Sequence, residues 1–158
     1  MSGKAEKQNQ PGPISKERLR LWLKLLKASD LVEAEIRRRL RRQLNSTMPR
    51  FDVMSALERA PEGLKMSEIS KRLRVSNGNI TGIVDKLTEE GLALRLAVPG
   101  DRRANLVRLT TRGRKVFIEQ AAIHESWINE ILGGLDADDV AGMILRLDHL
   151  TNALEERQ

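Results

Sequence analysis

Cysteine is absent from the chain, and His124 and His149 are its only imidazoles. Thiol nucleophiles, disulfides, thiolate zinc sites and iron–sulfur clusters are therefore excluded together. His124 falls on an apolar helix face, where packing is the simpler reading. The acids beside the two histidines, Glu125 and Asp148, are sequence neighbours and do not share a helix face with them. No nucleophile, base and orienting acid fall at convergent spacings. Hence no catalytic residue, metal ligand or cofactor is assigned, and an enzyme is not expected. Chemistry of another kind is concentrated in two short stretches. The first is Ser76, Asn77, Gly78, Asn79, Ile80, Thr81 and Gly82, with Lys86 one turn on. The carboxamides of Asn77 and Asn79 can form two-point hydrogen bonds to adenine, and Thr81 can touch a thymine methyl. Ser76, with the free N–H groups of a helix start, can hold a phosphate. The second stretch is Asp101, Arg102 and Arg103. A guanidinium projected from a loop suits a narrow A·T minor groove, and Asp101 can fix its orientation by two-point pairing.

Helices at both ends frame these stretches. Residues 1–13 are polar, with Gly12 and Pro13, and are expected to form a disordered arm. Ser15 is the expected N-cap of a long helix reaching about Asn45. Its face repeats Trp22, Leu25, Ser29, Val32, Ile36, Leu40 and Leu44 at steps of three or four. Arg37, Arg38, Arg39, Arg41 and Arg42 lie near its C-terminus, where cations favour the helix dipole. They form either a solvated basic face or a contact for an anionic ligand or partner subunit. Pro49 is expected to open a second helix whose inner face holds Phe51, Met54 and Leu57. A short third helix covers residues 67–73, with Lys65 where a capping Ser or Thr is preferred. Ser76 caps a fourth helix that Gly91 stops. On that helix Ile80, Ile83, Val84 and Leu87 share one side, while Gly78, Thr81, Gly82 and Asp85 share the other, flanked by Asn79 and Lys86. Two glycines four apart on an exposed face suggest close approach of another surface, since each costs roughly 1 kcal/mol against Ala in a helix.

Residues 92–98 and 105–109 read as a strand hairpin around a turn at Pro99, Gly100 and Asp101. Thr110 then opens a helix with inner residues Phe117, Ala121, His124, Ile128 and Ile131, broken at Gly133 and Gly134. Asp136 caps the last helix, with a stripe of Val140, Met143, Ile144, Leu147, Leu150 or Thr151, and Leu154. Two short helices, a tight turn and a basic hairpin describe a winged helix-turn-helix, whose second helix enters a major groove while the hairpin reaches the flanking groove.

The 158 residues suit one domain with a helical extension. Net charge is only +6, but its placement is uneven. Residues 1–49 carry +7, residues 50–115 carry +6 and residues 116–158 carry −7. The acidic tail can pair with the basic N-terminal helix, which leaves the surplus on the winged lobe. No apolar run reaches the roughly 20 residues of a membrane span, and the N-terminus lacks a signal-peptide core, so a cytoplasmic protein without a membrane partner is expected.

Residues 49–113 closely resemble the MarR family (multiple antibiotic resistance regulators). The resemblance rests on PRFDVMSALERAPEGLKMSEISKRLRVSNGNITGIVDKLTEEGL and DRRANLVRLTTRG, above all on Asp101, Arg103, Leu109 and Thr110 of the wing. The flanking helices match in order and pattern, extending the resemblance to about residues 15–155. It implies a mainly α fold with a small β hairpin: a winged helix-turn-helix lobe on a helical dimerisation layer. The expected division is an arm over 1–13, a dimerisation helix over 14–46, a DNA-binding domain over 47–113 and dimerisation helices over 114–158.

The resemblance further implies a homodimer on a palindromic double-stranded operator, acting as a repressor released by a small-molecule effector. Aromatic carboxylates or their CoA thioesters are the favoured effectors. Ser76, Asn77, Gly78, Asn79, Thr81, Gly82, Lys86, Asp101, Arg102 and Arg103 are the expected DNA-binding residues. Trp22, Ser29, Arg38, Arg50 and Phe51 are the expected effector-binding residues, with plain core packing as the alternative for Trp22 and Phe51. Peroxide sensing through a cysteine is excluded. Two other readings stay open: a ligand-independent DNA-binding or architectural protein of this fold, and a helical protein-interaction module. With no Tyr, two Trp and two Phe, little is left to stack unpaired RNA bases.

Overall fold

The computed structural model describes residues 12–73 and 76–158, without the side chains of Asn77 and residues 102–104. The arm expected over residues 1–13 lies almost wholly outside the described residues, as does Val75 of the turn before the fourth helix. The described elements run α1 (Ser15–Leu44), α2 (Met48–Glu58), β1 (Leu64–Lys65), α3 (Met66–Leu73), α4 (Asn77–Glu89), β2 (Ala93–Val98), β3 (Asp101–Leu109), α5 (Thr111–Ile131) and α6 (Ala137–Glu155).

Local capping explains most of the boundaries. Ser76 Oγ accepts from the Asn79 amide at 3.4 Å and starts α4. Asp136 and Asp139 exchange reciprocal side-chain-to-backbone bonds of 2.8 and 3.2 Å at the start of α6. The expected cap of α1 is displaced by one residue: Ile14 occupies the N-cap without a side-chain bond, and Ser15 is already helical. Asn45, with φ of 47°, closes α1 in the left-handed region that Asn tolerates, its amide returning to the Leu40 carbonyl. Thr47 caps α2 by accepting from the Arg50 amide at 3.3 Å, so Pro49 stands second in the helix rather than opening it.

The hairpin is part of a three-stranded antiparallel sheet in the order β1-β3-β2. Its short edge strand, unannounced by any alternating pattern, pairs Leu64 with Val107 and Lys65 with Leu106. This pairing holds Lys65 in place without a capping side chain, and its amide donates to Glu68 Oε1 at 3.4 Å. β3 also starts at Asp101, four residues before the expected strand, so the turn itself is Pro99 and Gly100, with Gly100 at φ 83°.

The core gathers Ile36 and Leu40 of α1, Val53, Met54 and Leu57 of α2, Ile69 of α3, Ile80, Val84 and Leu87 of α4, Val107 of β3 and Phe117 and Trp127 of α5. Each such side chain contributes roughly 1.5–3 kcal/mol by leaving water. Thr110 fixes α5 to this lobe: its hydroxyl accepts from Gly113 at 2.9 Å and donates to the Gly91 carbonyl at 2.7 Å. Gly113 lies against Leu92, just before β2, where a Cβ would come 1.8 Å from the Leu92 carbonyl oxygen. Trp127 is buried although the expected face of α5 omits it, while His124 is half-buried. No residue of α6 is buried, and Val140, Met143, Ile144, Leu147, Leu150 and Leu154 are all exposed.

Candidate nucleic-acid interface

α4 separates its two faces as the residue types require. Ile80, Val84 and Leu87 are buried and Ile83 is half-buried, so the helix is seated on the core. Ser76, Gly78, Asn79, Thr81, Gly82, Asp85 and Lys86 are exposed on the outer side. A Cβ added at Gly78 or Gly82 would meet nothing within 4 Å. Nothing inside the described chain therefore demands glycine at either position. The outer face is flat, polar and low.

An ion pair from Asp85 to Arg95 joins this face to β2, tying helix and wing. Where the wing turns, the ladder steps from Ala97 opposite Asn105 directly to Val98 opposite Asp101. Residues 102–104 thus fall outside one-to-one pairing, on a bulged stretch of backbone. Asp101 is exposed beside the turn. The side chains of Asn77, Arg102 and Arg103, all expected at the interface, lie outside the described residues.

The five expected effector residues are not brought together within one chain. Phe51 is 7% exposed and packs its ring 5.4 Å from Phe117 and 4.8 Å from His124. Its place is the core, and His124 likewise packs, edge-on to Trp127 at 6.5 Å. Trp22, 55% exposed on the first half of α1, is not part of the core. Ser29 is exposed. Arg38 turns back to Glu35, its Nε donating to Oε2 at 2.9 Å. Arg50 lines a cavity of about 470 Å³ between the end of α1, the start of α2 and α4, where it pairs with Glu90.

The arginine run resolves into separate roles. Arg37 pairs with Glu33 and Arg38 with Glu35. Arg39 bonds Glu35 at 2.7 Å and crosses to Glu130 of α5. The hydrogen bonds of Arg38 and Arg39 hold the Glu35 carboxyl down at about 2 from an ordinary 4.5. Arg39 lowers Glu130 in the same way. Burial pushes the Asp52 carboxyl up, with His124 opposing and Glu33 reinforcing. Sequence reading assigned no role to Asp85, Arg95, Ser46 or Thr47. Their signal is pairing and burial across elements, which spacing along the chain does not carry. Among the described residues no group of His, Asp and Glu could hold a metal, and no helix is long and apolar enough to cross a membrane.

Similarity to known proteins agrees with this geometry. A sequence model described as MarR family matches residues 46–104. The chain is 32% identical over 98 residues to YkoM of Bacillus subtilis, an uncharacterized HTH-type transcriptional regulator; the match spans 61% of this chain and 62% of that relative. Wild-type MarR of E. coli in its apo form superposes with a TM-score of 0.73 at 26% identity, covering 82% of this chain and 95% of that one. A mutant MarR of E. coli complexed with operator DNA gives 0.68 at 27% identity, covering 85% and 95%. The matched segment runs from just before α2 into β3, and the flanking helices follow the same fold, so the chain is similar to the MarR family in sequence over residues 46–104 and in fold along its length.

Proposed function

We propose that the protein is a sequence-specific double-stranded DNA-binding transcriptional regulator. It acts as a homodimer on a palindromic operator and represses until a small-molecule effector releases it. The observation that carries this reading is the outer face of α4. It is exposed and polar, and low at Gly78 and Gly82, where the chain itself needs no glycine. Such a face fits the floor of a major groove, with Asn77, Asn79 and Thr81 directed to base edges and Ser76 and Lys86 to phosphates. Asp101, Arg102 and Arg103 of the wing take the flanking minor groove. The E. coli MarR mutant held on operator DNA shares the fold at 27% identity, which supports the same use here.

Residues 47–113 form the DNA-binding domain in this reading, and residues 14–46 and 114–158 the dimerisation layer. The apolar residues exposed on α6, with Leu19, Trp22, Leu23 and Leu26 of α1, support a partner subunit over that layer. A two-fold dimer sets its α4 helices roughly 34–36 Å apart, one turn of duplex.

The effector is an aromatic carboxylate or its CoA thioester, bound between the layers and preferring the DNA-incompetent state. Because Trp22, Ser29 and Arg38 are exposed or locally paired within one chain, a ligand-independent regulator is the second reading. Sequencing the DNA captured by the protein from its source genome tests the first claim: enrichment of one palindrome supports it, and uniform coverage contradicts it. Thermal-shift screening with phenolic acids and acyl-CoAs separates the two readings. A compound that both raises the melting point and releases DNA marks an effector, and none doing so favours the second reading.

A further inference from the structure

Between the end of α1, the start of α2 and the outer face of α4 lies the cavity of about 470 Å³, and a neighbouring one of about 360 Å³ shares Ser46, Thr47, Asn79 and Ile83 with it. Together they make one groove. Arg50 and Lys86 stand in the first part, and Arg37 and Arg41 in the second. Glu90, the one lining carboxylate among the described residues, is already held by Arg50, and Arg37 is held by Glu33 outside it. No described carboxylate pairs with Arg41 or Lys86. The N-terminus of α2, capped by Thr47, opens into the groove and adds its partial positive charge. Independently, Ser46 lines both parts of the groove, is 4% exposed, and its hydroxyl has no hydrogen-bond partner among the described residues. A buried hydroxyl without a partner is costly unless a ligand completes it.

We infer that this groove is a seat for a phosphate group, held by Ser46, Arg50, Arg41 and Lys86. A phosphate supplies acceptor oxygens for the lone hydroxyl and for the guanidinium fork of Arg50, which has donors beyond the one given to Glu90. On the reading proposed above, on which the DNA arm of this inference rests, the phosphate is one of a duplex backbone flanking α4. A free phosphate offers the same chemistry, and the experiment separates the two sources.

Two variants are compared with the full-length wild type. Ser46→Ala removes only the unpartnered hydroxyl, so its melting temperature holds or rises. Arg50→Gln removes the fork, together with the Glu90 pair. Binding is measured to the captured operator and to a random duplex over a salt series, and melting is followed as sodium phosphate replaces chloride at equal ionic strength. A backbone seat predicts a loss of roughly tenfold for both variants on both duplexes, with the salt slope of Arg50→Gln shallower by about one. A small-ligand seat predicts that phosphate raises the melting temperature of the wild type and not of Ser46→Ala. If the wild type binds its operator selectively while both variants match it in affinity and slope, and phosphate shifts nothing, the seat is overturned and the operator reading stands. If the wild type binds no duplex, the operator reading fails. The phosphate arm then decides: a shift abolished by Ser46→Ala sustains the seat, and no shift overturns it.

Discussion

Arg39 of α1 grips Glu130 of α5 with two parallel hydrogen bonds of 2.8 and 3.0 Å, across 91 positions of sequence. The same guanidinium holds Glu35 on its own helix at 2.7 Å. Fork geometry of this kind fixes orientation as well as distance. It locks the basic helix α1 to α5, so part of the basic N-terminal segment is neutralised inside one chain. Glu35 has a folded-state value of about 2 against an ordinary 4.5, and Glu130 is lowered too. The folded state therefore binds these protons less tightly than the unfolded chain. Their stabilisation is present above the ordinary carboxylate range and is lost as pH falls through the lowered folded-state values, about 2 for Glu35. Glu130→Gln is expected to melt lower than the wild type at pH 7, by a gap that narrows as pH falls below the ordinary carboxylate range. An unchanged gap between the two curves would show that the clamp adds nothing.

Gly113 and Gly82 should respond oppositely to the same substitution. Alanine at 113 would place Cβ 1.8 Å from the Leu92 carbonyl oxygen, a backbone atom that cannot step aside. A loss of about 1–3 kcal/mol or more is expected. Alanine at 82 meets nothing within 4 Å, so helix propensity should stabilise the free protein by about 0.5–1 kcal/mol. Gly82→Ala should nevertheless bind the operator more weakly. Chemical denaturation beside a binding curve checks both; full affinity in Gly82→Ala would remove α4's outer face from the interface.

Arg103 stands on the bulged stretch of β3. Arg103→Ala should weaken operator binding by roughly 1–3 kcal/mol while leaving the dimer intact. Gel filtration and a binding isotherm suffice, and unchanged affinity would mean that the wing does not reach DNA.

Leu147 belongs to the exposed apolar stripe of α6. Leu147→Asp is expected to abolish the dimer and operator binding together, since a charge would be buried unpaired between subunits. Sedimentation should show a monomer. A monomeric variant with undiminished operator affinity would contradict the dimeric reading.

Local chemistry made much of the fold legible in advance. Ser76 and Asp136 cap the helices they were expected to cap, and Thr110, expected to open α5, stands as its N-cap, because capping needs only residues within one turn. The two faces of α4 followed from helical periodicity alone. What depends on distant partners did not show. Leu64 and Lys65 become a strand only because Val107 and Leu106 lie beside them. The extra length of β3 depends on Asp101 facing Val98. Within one chain the expected effector set does not converge, for a similar reason: helical phase alone cannot say that Phe51 turns to His124 and Phe117 while Trp22 stays outside. The isolated hydroxyl of Ser46 is likewise a property of packing.

The central claim is that two copies of this chain read one palindrome through α4 and the wing. Binding of the captured operator and of a scrambled duplex of equal length, each followed across a salt series, tests it most directly. The expected result is one dimer per site, a steep fall of affinity with salt for both duplexes and a preference for the operator of about a thousandfold or more. Equal affinity for the two duplexes at every salt concentration would contradict it.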